Sequence, residues 1–408
     1  MASAPASVEA GHEGFGRLVL QGAVALLMLV PVTLPVPVLR TLVHERFGVS
    51  ELLTSLFMSI NMVGAVLSAP VIGGLADRLG HRKHIAIGAL VVDAVCFFAM
   101  TGPVPFVVFM GLRFVEGAAH IAALSMLLSL ASTSVPDAHR GRALGLVGAG
   151  LLLGVAIGAP IGGRLGASDP MRPLVVGGFV VLGAAALAAW VLREGAAEVE
   201  GRASAAGLRV ALREQGRLVI PLLFAFADRF TVGFYTTTFS LYLSRVHGAD
   251  PPRIGLLIAA FMLPFALLSY PFGWLSERTS RVALLGVGSV VYGIGTASLV
   301  LWPPEALPLV MAAIGISAAV MFVPTMLLTT EYASESLRST AMAAFNAAGS
   351  LGFIVGPLVG GFVSESIGEG GDWRRGYGAA FLVAGGSEIL LVAVALPFLW
   401  RRGAGLRT

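Results

Sequence analysis

Apolar runs long enough to cross a bilayer recur along the whole chain and are broken only by short polar clusters. Windows of about 20 residues place them near 17–39, 51–75, 84–103, 105–133, 141–166 and 172–193, and again near 217–245, 253–276, 282–302, 305–331, 339–364 and 375–400. The pattern predicts an all-α polytopic membrane protein of twelve transmembrane helices in two pseudo-symmetric six-helix bundles. The bundles run from 17 to 193 and from 217 to 400. A polar linker over 194–216 separates them, with cytoplasmic tails over 1–16 and 401–408.

Composition agrees: 56% of the 408 residues are hydrophobic and 12% are charged, against about 25% charged in a soluble domain. The net charge of +4 orients the spans and is no sign of nucleic-acid binding. With the N-terminus inside, 17 positive residues fall on the cytoplasmic side and 8 on the other. That bias puts both termini in the cytoplasm. Lys83 is the only lysine in an Ala- and Gly-rich chain, which suggests a GC-rich bacterial genome, and the bacterial inner membrane is the expected location. Cys96 is the only cysteine, so no intramolecular disulfide forms and no cysteine cluster holds a metal.

The two halves repeat. GGLADRLG, beginning at Gly73, has an echo in GWLSERTS, beginning at Gly273; Asp137 and Arg140 align with Glu335 and Arg338. The run from Gly154 to Gly163 is echoed from Gly352 to Gly361. Three features at offsets of 198 to 200 residues indicate two parallel six-span repeats.

Gly73-x-x-x-Asp77-Arg78-x-Gly80-x-Arg82-Lys83 resembles the signature loop between the second and third helices of the major facilitator superfamily (MFS). Arg113-Phe-Val-Glu116-Gly117 is similar to that superfamily's R-x-x-Q-G pattern, with Glu for Gln. Gly352, Gly356, Pro357, Gly360 and Gly361 match the glycine-proline motif of its drug:proton antiporter branch, although that motif belongs in the fifth helix and the clean copy here is in the eleventh. The resemblance implies the MFS fold, alternating access, a proton-coupled efflux antiporter and a cytoplasmic latch at the signature loop, with Asp77 facing the start of the eleventh helix near Ser339. Residue chemistry stands beside it. Gly73 would allow close helix approach, Gly80 a tight turn, and Arg78, Arg82 and Lys83 would pair with acids or lipid phosphate. A purely topogenic basic cluster explains the basic residues alone.

Ionisable residues cost about 2.5 to 3.5 kcal/mol at a span centre, so Asp93, Arg113, Glu116, His120, Asp228, Arg229 and Glu388 stand out. Arg113, Glu116 and His120 share one helix face, which must look into a cavity and not toward lipid. Glu116 and Asp228 are the candidate proton carriers, with Arg113 as counter-ion to the first. A static Arg113–Glu116 ion pair, and a hydrogen-bonded spacer role for His120, remain the alternatives. Asp228 and Arg229 are adjacent and diverge by about 100°, so they are expected to face different points. The remaining candidates for the substrate cavity are Arg229, Tyr235, Thr237, Tyr242, Asn61 and Asn346. Asp93 and Glu388 are assigned to helix-packing hydrogen bonds.

The sequence shows no Ser/His, His/Asp or metal-ligand cluster and no phosphate-binding glycine loop, which argues against a membrane enzyme or an ATP-driven pump. No cofactor and no metal are expected. The partners expected of this monomer are a small-molecule substrate, protons and the lipid bilayer, not nucleic acid. Efflux of amphipathic compounds and uptake of a small anionic metabolite both remain open.

Overall fold

With no water in the hydrocarbon region, a spanning chain satisfies its backbone N–H and C=O groups within a helix. The computed structural model describes the backbone of residues 6–135, 140–194 and 216–400, and side chains from residue 16 onward except 77, 140–142, 336, 339, 396, 397, 399 and 400. The expected tails and linker, and the side chains of Asp77 and Ser339, fall wholly or mostly outside these residues. The helices are α1 (Ala6–Thr33), α2 (Glu51–Leu79), α3 (Arg82–Met100), α4 (Phe106–Thr133), α5 (Arg140–Gly166), α6 (Arg172–Val191), α7 (Val219–Thr236), α8 (Thr238–His247), α9 (Pro251–Arg278), α10 (Arg281–Ala297), α11 (Leu307–Tyr332), α12 (Arg338–Gly368) and α13 (Trp373–Trp400). No strand occurs among the described residues.

Among the described residues, eleven stretches are long and apolar enough to span, where twelve were expected. The exception is α10, an apolar helix of 17 residues. At 1.5 Å per residue it reaches about 26 Å, a little short of a hydrocarbon core of about 30 Å, and a 3-10 turn over Leu299–Leu301 follows it.

The seventh span is broken where a continuous helix was expected. Thr237 leaves helical geometry at φ −131° and ψ −76° and divides α7 from α8. The hydroxyls of Thr236 and Thr237 both donate to Gly233 O, at 3.1 and 2.7 Å, and so compete with the helical ladder for that carbonyl. The first span stops at the equivalent place. α1 ends at Thr33, the imino acids Pro35 and Pro37 follow, and the chain passes through a 3-10 turn over Val36–Val38 and a π turn over Arg40–Glu45.

The chain divides into two compact units, Met1–Pro35 with Ile60–Val199 and Val36–Ser59 with Glu200–Thr408. In the first, α5 packs along α1 through a glycine ladder. A side chain at Gly150, Gly154, Gly158 or Gly162 would meet the carbonyls of Gly22, Leu26, Val30 and Leu34 in turn. In the second, α12 packs along α7 in the same way, with Gly352 and Gly356 against the carbonyls of Phe226 and Phe230. Glycine at every fourth position lets two helix backbones touch.

Val36–Ser59 is held to the rest of the second unit by polar contacts. Ser240 donates to Val36 O at 2.6 Å, Ser59 donates to Ile354 O at 2.8 Å, and the Leu52 N–H donates to Glu365 Oε2 at 2.9 Å. Glu51, which is buried, forms an ion pair with Arg245. The Arg245 guanidinium also lies 3.5 Å from the centre of the Trp373 ring.

Candidate functional site

On α4 the i, i+3 and i+7 positions place Arg113, Glu116 and His120 on one face, and α3 runs alongside with Asp93. Arg113 donates to Glu116 Oε2 at 2.7 Å with both side chains fully enclosed, at 0% and 1% exposure. Asn61 on α2 donates to the same oxygen. Across the α3–α4 contact, His120 Nδ1 stands 3.3 Å from Asp93 Oδ2. Asp93 is 1% exposed, while His120 retains 14%. Glu116 Oε1 and Asp93 Oδ1 have no hydrogen-bond partner among the described residues.

Backbone contact sets this geometry. A Cβ at Gly117, the residue after Glu116, would collide with the backbone of Asn61; a Cβ at Gly64 would collide with the carbonyl of Phe114. The two glycines bring α2 and α4 together until Asn61 reaches the Glu116 carboxylate. The repeat builds the same crossing in the second unit. Gly315 on α11 meets the backbone of Phe261 on α9, and Met311, Ile314 and Ala318 stand where Arg113, Glu116 and His120 stand in the first. The scaffold therefore does not need the charges.

The second unit has its own buried acids. Asp228 on α7 accepts from Arg229 at 3.0 Å, although adjacent helical residues were expected to face apart. The arginine side chain is long enough to curl back, and it lies over the rings of Phe322 and Phe353, at 4.6 and 5.8 Å from their centres. Glu388 on α13 is fully buried, and among the described residues its oxygens have no partner at full hydrogen-bond geometry. The Ser289 hydroxyl beside it is directed at Met321 Sδ, 3.3 Å away. Asp228 Oδ1 and the hydroxyl of Tyr292 are also buried without a partner among the described residues.

The sequence profile of the Major Facilitator Superfamily matches residues 22–240 and 221–407. The chain belongs to the major facilitator superfamily. Among its relatives, the mouse MFS-type transporter SLC18B1 is 25% identical over 389 residues, covering 89% of this chain and 82% of that protein. The gallate transporter of Pseudomonas putida is 25% identical over 362 residues, covering 78% and 79%. Of solved structures, a bacterial homologue of the human lysosomal transporter Spinster superposes with a TM-score of 0.81 at 15% identity, covering 94% of this chain and 96% of that one. A D-xylose-proton symporter gives 0.75 at 14%, also covering 94% and 96%. At such identities the structural likeness is one of fold. The chain is a multi-pass membrane transporter of the major facilitator type.

Within this superfamily frame the other candidates are widely placed. Tyr235, Thr237 and Tyr242 are fully buried and committed to packing inside the second unit. The Tyr235 hydroxyl pairs with that of Thr296 at 2.5 Å and its ring stacks on Phe261, while Tyr242 meets His247 at 2.8 Å. Asn346 is exposed on α12 and Asn61 sits against Glu116. In the signature loop, Gly80 takes φ 67°, the left-handed geometry of a tight turn. Arg82 donates to Ser129 at 2.6 Å and the backbone of Lys83 donates to Glu194 at 2.9 Å, while Arg78 is exposed. A Cβ at Gly73 would meet nothing within 4 Å among the described atoms. Of the glycine-proline run, Gly360 and Gly361 abut Thr238 and Ser55, and Pro357 packs on Gly233.

Two arrangements escaped sequence reasoning. The first is the grouping of Asp93, Glu116 and His120, whose potential ligand atoms lie within 4.8 Å of one another. Asp93 and Glu116 are 23 residues apart on different helices, and no spacing rule links them. The second is Glu51 with Arg245. Charges at helix ends are ordinary, so neither residue carried a signal.

Proposed function

We propose that the chain is a proton-coupled secondary transporter working by alternating access, a monomer that exports small amphipathic, drug-like compounds across a bacterial inner membrane. The observation that carries this reading is the enclosed Arg113–Glu116–Asn61 network. An ion pair buried in a bilayer is costly, often no better for stability than an apolar replacement, and the repeat dispenses with it at Met311 and Ile314. A group kept at such cost is kept for work, and in a transporter that work is binding and releasing a proton. Asp228 holds the corresponding role in the second unit, with Arg229 as its counter-ion.

A second reading is proton-coupled uptake of a small anionic metabolite. It draws on Arg229, which is partly exposed and lies over Phe322, a combination suited to an aromatic carboxylate. The name of the gallate transporter is in keeping with it.

Purified protein in liposomes with an imposed pH gradient tests both, using ethidium and gallate as probes. Gradient-driven ethidium movement that disappears in Glu116→Gln is the expected result. Gradient-driven gallate entry supports the second reading, and transport of either probe that ignores the gradient overturns proton coupling.

A further inference from the structure

We propose that Asp93 and His120 form a relay that loads Glu116, so that one exchangeable proton is shared by three side chains and not carried by Glu116 alone. This rests on the reading of Glu116 as a proton carrier and gives that site an entrance.

The geometry supplies each part. His120 is the member of the cluster with exposed surface, and its Nδ1 is 3.3 Å from Asp93 Oδ2. Asp93 and Glu116 are enclosed, and each has one oxygen without a partner. One ring nitrogen of His120 and one carboxylate oxygen from each acid lie within 4.8 Å of one another, a gap that rotation of a carboxyl group or one bridging water closes. The ionisable groups acting on Asp93 are His120 and Arg113, and those acting on Glu116 are Arg113, Asp93 and His120. The Cys96 thiol on α3 also lies near both acids. With Arg113 charged, both acids ionised and the imidazole neutral, the cluster carries one net negative charge inside the membrane. One added proton makes it neutral, and a second is not called for. Such closely set groups titrate together, so the proton belongs to the cluster.

In the transfer, a hydronium ion at the exposed surface of His120 gives a proton to Nε2 and leaves as water. The Nδ1–H bond breaks toward Asp93, which gains an O–H, and the imidazole is left neutral in its other tautomer. The Asp93 O–H then breaks as one forms on Glu116, and Asp93 returns to its ionised state. No charge is created or lost beyond the single incoming proton.

The test separates this relay from the transport reading. Infrared spectra of the purified full chain, recorded after a pH jump, follow the protonated-carboxyl band without any substrate. The wild type shows that band, whereas Asp93→Asn and Glu116→Gln each leave a cluster that is neutral without the added proton, so each removes it. His120→Ala slows the band's appearance at least tenfold, and added imidazole restores the rate. If His120→Ala protonates at the wild-type rate, or Asp93→Asn leaves the band unchanged, the relay is overturned. If Zn2+ binds the wild type and not Asp93→Asn, the cluster is a metal site and the relay is likewise overturned. Proton-driven ethidium or gallate transport that survives in Glu116→Gln defeats the assignment of Glu116 as the proton carrier instead, whatever the spectra show.

Discussion

Asn61 donates a hydrogen bond to Glu116 from the residue whose own backbone fills the space a side chain on Gly117 would need. Close helix contact and polar contact are therefore one feature. Gly117→Ala is expected to push α2 from α4 and break the hydrogen bond, costing about 1 to 3 kcal/mol as overpacking against rigid backbone does. Thermal unfolding in detergent measures it. Gly73→Ala, in open space, is the matched control and should leave the melting temperature unchanged.

The two glycine ladders make a paired prediction. Gly158 abuts the carbonyl of Val30 and Gly356 that of Phe230, so Gly158→Val and Gly356→Val should destabilise the protein to a similar degree. If the glycine-proline run serves close packing alone, transport per folded molecule falls equally in both variants. A selective loss in Gly356→Val would show a role special to that run.

Glu388 offers the opposite sign. A buried carboxyl with two unpartnered oxygens destabilises the fold, and its replacement by a methylene-rich side chain of similar size is expected to stabilise by about 1 kcal/mol or more. Glu388→Met should raise the unfolding temperature. A fall would mean that the carboxyl is satisfied by something bound to it.

Glu51 and Arg245 test the strap over Val36–Ser59. Glu51 is buried but Arg245 is partly exposed, so Glu51→Gln and Arg245→Gln should each lower stability by less than the loss seen on breaking a fully buried pair, and the double variant should lose less than the sum of the two. The cycle isolates the pair, and additive losses would indicate that the residues act independently.

The architecture was legible because bilayer length and repetition are properties of the sequence alone. The charges of α4 were legible for a related reason: an ionisable residue in an apolar run is conspicuous at any depth. What those charges touch was not. Asp228 and Arg229 looked divergent because backbone angles ignore the reach of arginine. Tyr235 and Tyr242 looked like a cavity wall because a polar tip on an aromatic body suits both a wet surface and a packed one, and in a membrane protein every face of a helix is apolar enough to be either. The break at Thr237 depended on two hydroxyls choosing one carbonyl, a local competition that apolar windows do not register.

The crossing of Gly315 with Phe261 repeats that of Gly117 with Asn61, with oil in place of electricity. A protein made by doubling thus carries its own blank. One copy of the joint bears the wiring and the other shows the same joint unwired, so Phe261, Met311, Ile314 and Ala318 are the places where a second circuit could be installed without redrawing the frame.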